Sequence, residues 1–302
     1  TGSTTGSTTG GTTGNTGTTT GTTTGTTTGS TTGDTGTTTG STTGGTGTTT
    51  GGTTGNTGTT TGSTTGNTGT TTGGTPSMKV TYIDNTEKTF YNLNKIDKNT
   101  DSNKANAKNV EVYDSVTIIS SESFKDCSKL ESIVISNNVP HTVSFIGNYA
   151  FMNCEKLASV VLPNMLTSIN PYAFYHCSSL KQIVIPSLVG VIANYAFCGC
   201  SSLTNISLPD YLAEIGDSSF SNCDSLTSFT IPSQVTSIGQ ECFEFCSKLT
   251  EMTVNATTPP TLGYNAFANS GIQTIYVPAD SLNSYKSASG WSTYASKIQA
   301  IP

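Results

Sequence analysis

Hydrophobic side chains are missing from the first quarter of this chain and strictly periodic in the rest. From Val110 onward a Phe recurs with a Cys three residues later: Phe124/Cys127, Phe151/Cys154, Phe174/Cys177, Phe197/Cys200, Phe220/Cys223 and Phe243/Cys246. Phe267 continues the series with Ser270 in place of Cys. Successive Phe are 27, 23, 23, 23, 23 and 24 residues apart. A fixed period in the twenties predicts a solenoid, in which no unit buries its apolar side chains alone and stacked units do so together.

Every unit repeats one internal pattern. A Leu follows each Cys by three residues, at Leu130, Leu157, Leu180, Leu203, Leu226 and Leu249. An alternating apolar pair comes next, as in Ile133/Ile135, Ile183/Ile185 and Met252/Val254, and this period of two predicts one short half-buried strand per rung. Pro163, Pro186, Pro209 and Pro232 end the strand because Pro donates nothing to a ladder. A second apolar pair, such as Leu166/Ile169 or Val235/Ile238, leads into the next Phe. The unit between Cys127 and Cys154 carries four extra residues around Asn137–Ser144. A rung insertion must bulge at the surface, where it reads as loop drift or as a recognition element.

Residues 110–270 are therefore the repeat array. Residues 271–302 hold Ile275-Tyr-Val-Pro278, Tyr285, the lone Trp291 and Tyr294, and read as a C-terminal cap over the last rung. Residues 77–109 read as an N-terminal cap or linker. Val80–Ile83 and Lys88–Tyr91 pair there as a hairpin, followed by a solvated Asn/Lys/Asp-rich loop over Asn94–Asn109.

Residues 1–76 are almost purely Thr and Gly. Thr31–Ser41, Thr42–Gly52, Thr53–Ser63 and Thr64–Gly74 all read TTGxTGTTTGx. Such a tract cannot bury an apolar core, and its only charge is Asp34. Gly spacing excludes helix, and the missing Gly-X-Y period excludes collagen. The tract reads as an extended, non-globular stalk or fibre segment. Its dense hydroxyls make it a candidate for O-glycosylation, with Thr31, Thr32, Thr42, Thr43, Thr53, Thr54, Thr64 and Thr65 as representative acceptors.

The rung grammar resembles BspA-like (Treponema pallidum-type) leucine-rich repeats, which read roughly LxxIxIPxxVxxIGxxAFxxC. Leu180–Pro186 and Val235–Cys246 match it closely, and the likeness recurs from about Val110 to Phe267. The resemblance implies a leucine-rich solenoid of 23-residue rungs, surface display, and attachment to host or matrix proteins. It implies no fixed ligand motif.

Composition narrows the chemistry. The chain has 13 cations, all Lys, against 19 acids, a net charge of -6. With no Arg and no basic stripe, nucleic acid is not an expected partner. No apolar run reaches the ~20 residues of a membrane span. The chain begins at Thr1 rather than Met, which reads as a processed product or fragment.

No cofactor, metal or catalytic residue is expected. Cys127, Cys154, Cys177, Cys200, Cys223 and Cys246 share one repeat position and read as a structural ladder of buried thiols. Cys198 and Cys242 fall outside it and are candidates for a disulfide. His141 and His176 are the only histidines, and His176-Cys177 lacks an orienting acid and an oxyanion loop. Asn205 and Asn255 begin Asn-x-Ser/Thr sequons.

Outward strand positions make the candidate binding face, with Gln182, Val184, Asn205, Ser207, Ser228 and Thr230 as its centre and Val134, Val161 and Val184 as an apolar stripe. The function expected is that of a non-enzymatic extracellular structural or interaction protein. Its leucine-rich domain would ride on a glycosylated stalk and self-associate into a cell-surface filament or layer. The alternatives are a surface adhesin that holds a protein or glycan without self-assembly, and a Thr array that binds ice or crystals.

Overall fold

The computed structural model describes the backbone of residues 3–13, 16–32, 35–43, 47–54, 57–65, 69–72, 76–137 and 143–302, with side chains described from Pro76 onward. The chain divides into two compact units, Thr1–Thr75 and Pro76–Pro302.

The described stretches of the first unit are not a lone extended chain. They form β1 (Ser3–Thr13), β2 (Thr16–Thr32), β3 (Thr35–Thr43), β4 (Gly47–Thr54), β5 (Thr57–Thr65) and β6 (Gly69–Thr72). These pair in parallel in the order β5-β3-β2-β4-β6, with β1 also on β2. Thr35 lies opposite Thr57, Gly40 opposite Gly62 and Ser41 opposite Ser63, so β3 and β5 pair residue on identical residue. The offset of 22 residues is two 11-residue repeats, and β4 pairs with β6 at the same offset. A parallel ladder needs backbone pairing and a repeating register rather than large apolar side chains, and Thr is a good strand former.

The second unit opens with β7 (Pro76–Tyr82) and β8 (Glu87–Tyr91), an antiparallel hairpin. Asn94–Asn109 is not a solvated loop, as expected from its polar composition. It supplies β9 (Lys95–Ile96), a 3-10 turn at Lys104–Asn106 and the start of β10 (Ala107–Val112). Ile96 and Ala107 are buried, and buried Asp101 accepts a 2.8 Å hydrogen bond from the Tyr82 hydroxyl. Two buried apolar side chains and one satisfied carboxylate suffice to order a segment that average polarity assigns to solvent.

Each rung then contributes two strands. The first of each pair builds the strand face: β10, β12 (Ser132–Ile135), β14 (Ser159–Val161), β16 (Gln182–Val184), β18 (Asn205–Ser207), β20 (Ser228–Ile231), β22 (Glu251–Val254) and β24 (Thr274–Val277). The second builds a ladder of two-residue strands: β9, β11 (Ile118–Ile119), β13 (Phe145–Ile146), β15 (Ser168–Ile169), β17 (Val191–Ile192), β19 (Glu214–Ile215), β21 (Ser237–Ile238) and β23 (Thr261–Leu262). Rungs are parallel and in register, with Ile133 opposite Val160 and Ile183 opposite Ile206.

The core runs the length of the stack. Phe124, Phe151, Phe174, Phe197, Phe220, Phe243 and Phe267 stack ring on ring with centroids 5.1–5.6 Å apart. Burying each Phe contributes roughly 2–3 kcal/mol. The last rung is closed by α1 (Leu282–Ser287), a 3-10 turn at Trp291–Lys297 and β25 (Ile298–Ala300). Trp291 is buried there and donates its indole N–H to the Pro260 carbonyl at 2.7 Å, and Tyr285 donates to the Ala256 carbonyl at 2.7 Å. Among the described residues no helix is long and apolar enough to cross a membrane.

Candidate functional site

The strand face is continuous in sequence pattern but not in pairing. β12 pairs with β14, and β16 with β18, yet β14 does not pair with β16 and β18 does not pair with β20. At the first break the surface opens into a hollow of about 680 Å³. A volume of this size is typical of ligand sites. Its lining includes Val161, Lys181, Gln182, Val184, Asn205 and Ser207.

The inward residues Ile133/Ile135 and Ile183/Ile185 are buried, whereas Val160/Leu162 and Ile206/Leu208 are only half-buried. The core is thus left partly uncovered in the rungs of β14 and β18. Val160 and Leu162 reach the hollow from below. Outward Val161 is 47% exposed and Val184 is 68% exposed, so the valine stripe faces solvent.

Four of the six strand-face candidates, Gln182, Val184, Asn205 and Ser207, come together in this hollow. Ser228 and Thr230 are exposed on β20, beyond the second break, and do not line it. Sequence reasoning missed Lys181, the one charged side chain among the described residues of the lining. Its signal was its place at the start of the strand, where the neighbouring rungs carry Ala158 and Thr204. Lys181 makes no ion pair or side-chain hydrogen bond among the described residues.

Both sequon asparagines are exposed, but differently placed. Asn205 stands in the hollow, and Asn255 follows the end of β22. The eight threonines named as O-glycan acceptors are the last two residues of β2, β3, β4 and β5. His141 lies outside the described residues.

All eight thiols are free and buried, which removes the disulfide considered for Cys198 and Cys242. Cys198 lies in the turn region near Ser221, while Cys242 sits 3.3 Å from the Ser219 hydroxyl. Within the ladder, Cys154, Cys177, Cys200, Cys223 and Cys246 each donate to a Phe carbonyl of the preceding rung at 3.1–3.3 Å. Burial pushes the Cys127 and Cys198 thiols up to about 11 and Cys246 up to about 12, far from a nucleophile's range.

His176 does not pair with Cys177. It sits at φ 56, its ring stacked on Tyr175 at 4.2 Å and lying across Gly199, while the Cys177 thiol points to the Phe151 carbonyl. Tyr149, Tyr172 and Tyr195 form a second exposed-side stack nearby, 4.9 and 4.6 Å apart. Among the described residues no group of three or more His, Cys, Asp or Glu could hold a metal.

The family model described as "BspA type Leucine rich repeat region" matches in six copies, over residues 94–190 and 167–289, which is more than half of the chain. Similar solved structures include a T. pallidum leucine-rich repeat protein, 30% identical, covering 53% of this chain and 75% of that one, TM-score 0.48. A leucine-rich repeat protein from Bacteroides ovatus is 26% identical and covers 58% of this chain and 55% of that one, TM-score 0.42. A leucine rich cell surface protein from Faecalibacterium prausnitzii is 23% identical and covers 68% and 75%, TM-score 0.44. No curated protein sequence matches significantly. The fold is one typical of proteins that bind other proteins.

Proposed function

Since the chain belongs to the BspA-type leucine-rich repeat family, we propose that it is a non-enzymatic extracellular protein that holds a macromolecular partner on its strand face. The observation that carries this reading is the hollow at the β14/β16 break, which gathers Gln182, Val184, Asn205 and Ser207 over a partly open core. An extracellular setting agrees with thiols that are all buried and therefore protected from oxidation. The test compares the full chain with its Val184→Asp variant on immobilised matrix proteins and on a glycan array. Binding that the variant loses supports the reading. Binding that both share, or binding by neither, overturns it.

A second reading adds self-association through the Thr/Gly unit, as in a surface filament or layer. It is favoured by the pairing of β3 with β5, where identical residues face each other at a two-repeat offset. The same register could be repeated between copies. O-linked sugars would then fall at strand ends, where the eight named threonines stand. Intact mass and sedimentation of the full chain test it: a monomer of bare polypeptide mass at every concentration excludes both filament and glycan.

A further inference from the structure

The reading above leaves the partner's chemistry open between protein and glycan. Resting on that reading of the hollow, we infer that its occupant is a short extended peptide segment carrying aliphatic side chains next to a carboxylate.

The lining itself separates the two classes. Sugar rings bind by laying their C–H faces on aromatic rings, and among the described residues no aromatic side chain lines the hollow. Tyr149, Tyr172 and Tyr195 stack on one another at the turn edge, away from the hollow, with Lys125 over the outer face of Tyr149. The hollow instead offers aliphatic surface. Val161 and Val184 stand on its rim, and Val160 and Leu162 are left half-buried beneath. Covering these four side chains removes apolar area from water, the main source of affinity for a peptide's aliphatic groups.

The polar groups fit a peptide backbone. Gln182 lies opposite Asn205 on the adjacent paired strand, and both side chains are outward and exposed. Neither side-chain amide has a hydrogen-bond partner among the described residues. Each carries a donor and an acceptor, the complement of one peptide unit. Two such amides one strand spacing apart, about 4.8 Å, can hold successive C=O and N–H groups of an extended segment.

The charge sets direction. Lys181 immediately precedes β16 at one end of the hollow, and Val184 and Pro186 lie at the other. Glu131 occupies the equivalent position two rungs away, with Ala158 between them, so the ammonium is not neutralised in place. Glu155 and Lys156 stand on the preceding turn and do not line the hollow. A ligand carboxylate at Lys181, with aliphatic groups running toward Val184, satisfies both ends.

The experiment pans a random twelve-residue peptide library displayed on phage against the full chain. Selected peptides are measured against Val184→Asp, Val161→Asp and Lys181→Glu by fluorescence polarisation, with a glycan array run in parallel. All three positions are exposed, so these variants retain the fold. The expected result is enrichment of peptides with a carboxylate beside aliphatic residues. Their affinity should fall about tenfold or more in either Val variant and severalfold in Lys181→Glu, the latter loss shrinking at high salt. Val184-sensitive peptides lacking a carboxylate, or indifferent to Lys181→Glu, would overturn the ligand class and leave the hollow as the site. Val184-sensitive glycan binding without peptide binding would do the same. Binding insensitive to both valines would overturn the hollow itself.

Discussion

The Cys200 thiol reaches the main-chain carbonyl of Phe174, one rung earlier, at 3.3 Å. Four other ladder cysteines repeat this bond, and each follows a Phe whose ring stacks on its neighbour above and below. The thiol therefore ties its rung to the preceding one, at the carbonyl that the Cys177 backbone N–H already caps within its own turn. Cys200→Ala should remove buried volume and one of the two hydrogen bonds that the Phe174 carbonyl accepts, the other coming from the Cys177 backbone N–H, lowering stability by about 1–2 kcal/mol. Denaturant unfolding checks this, and an unchanged midpoint would show that the thiol only fills space another group can fill.

The same burial makes the thiols inert. In the folded chain none of the eight should react with a thiol reagent on a timescale of minutes, and all eight should react after unfolding. Non-reducing and reducing masses should differ by no disulfide. Rapid labelling of Cys198, at the less enclosed end of the set, would contradict the placement of its turn.

Alkaline pH should destabilise the fold. Burial raises every thiol above its usual value near 9, to about 11 for Cys127 and Cys198 and about 12 for Cys246. A group whose folded pKa is raised stabilises fully below its unfolded value, and that contribution is lost as pH climbs toward the folded one. The melting temperature should be insensitive to these groups below pH 8 and should fall steadily from pH 9 to pH 12. A flat profile through that window would contradict the burial of the ladder.

Gly199 has φ +76, and a Cβ there would meet His176 Cδ2 at 2.2 Å. Gly199→Ala should cost about 1–3 kcal/mol through left-handed strain and the ring clash together. His176→Ala should be mild, because His176 is exposed. The double variant should regain the clash part but not the strain, which a double-mutant cycle separates. Additive costs would mean that the imidazole does not lie over Gly199.

Much of the second unit was legible from spacing alone. The Phe, Cys and Leu positions recur at 23 residues, and a repeat that cannot bury itself must stack, so rung register followed directly. The break between β14 and β16 was not legible. It shows in Val160/Leu162 and Ile206/Leu208 being only half-buried where Ile133/Ile135 and Ile183/Ile185 are covered, a difference in cover that an apolar/polar pattern does not record. Lys181 was passed over for the same reason, since its meaning lies in what the break exposes beside it. The order of Asn94–Asn109 was hidden by averaging over a polar stretch that contains Ile96 and Ala107. In the Thr/Gly unit the 11-residue repeat was visible, but order was judged by apolar content, and the pairing of β3 with β5 rests on register instead.

The strand-face hollow is the point on which the account stands, and hydrogen–deuterium exchange of the full chain, free and with a peptide selected on it, tests it most directly. Added protection is expected only over residues 158–164, 181–186 and 204–207. Protection centred on the Tyr149–Tyr172–Tyr195 stack, or beyond β20, would contradict it.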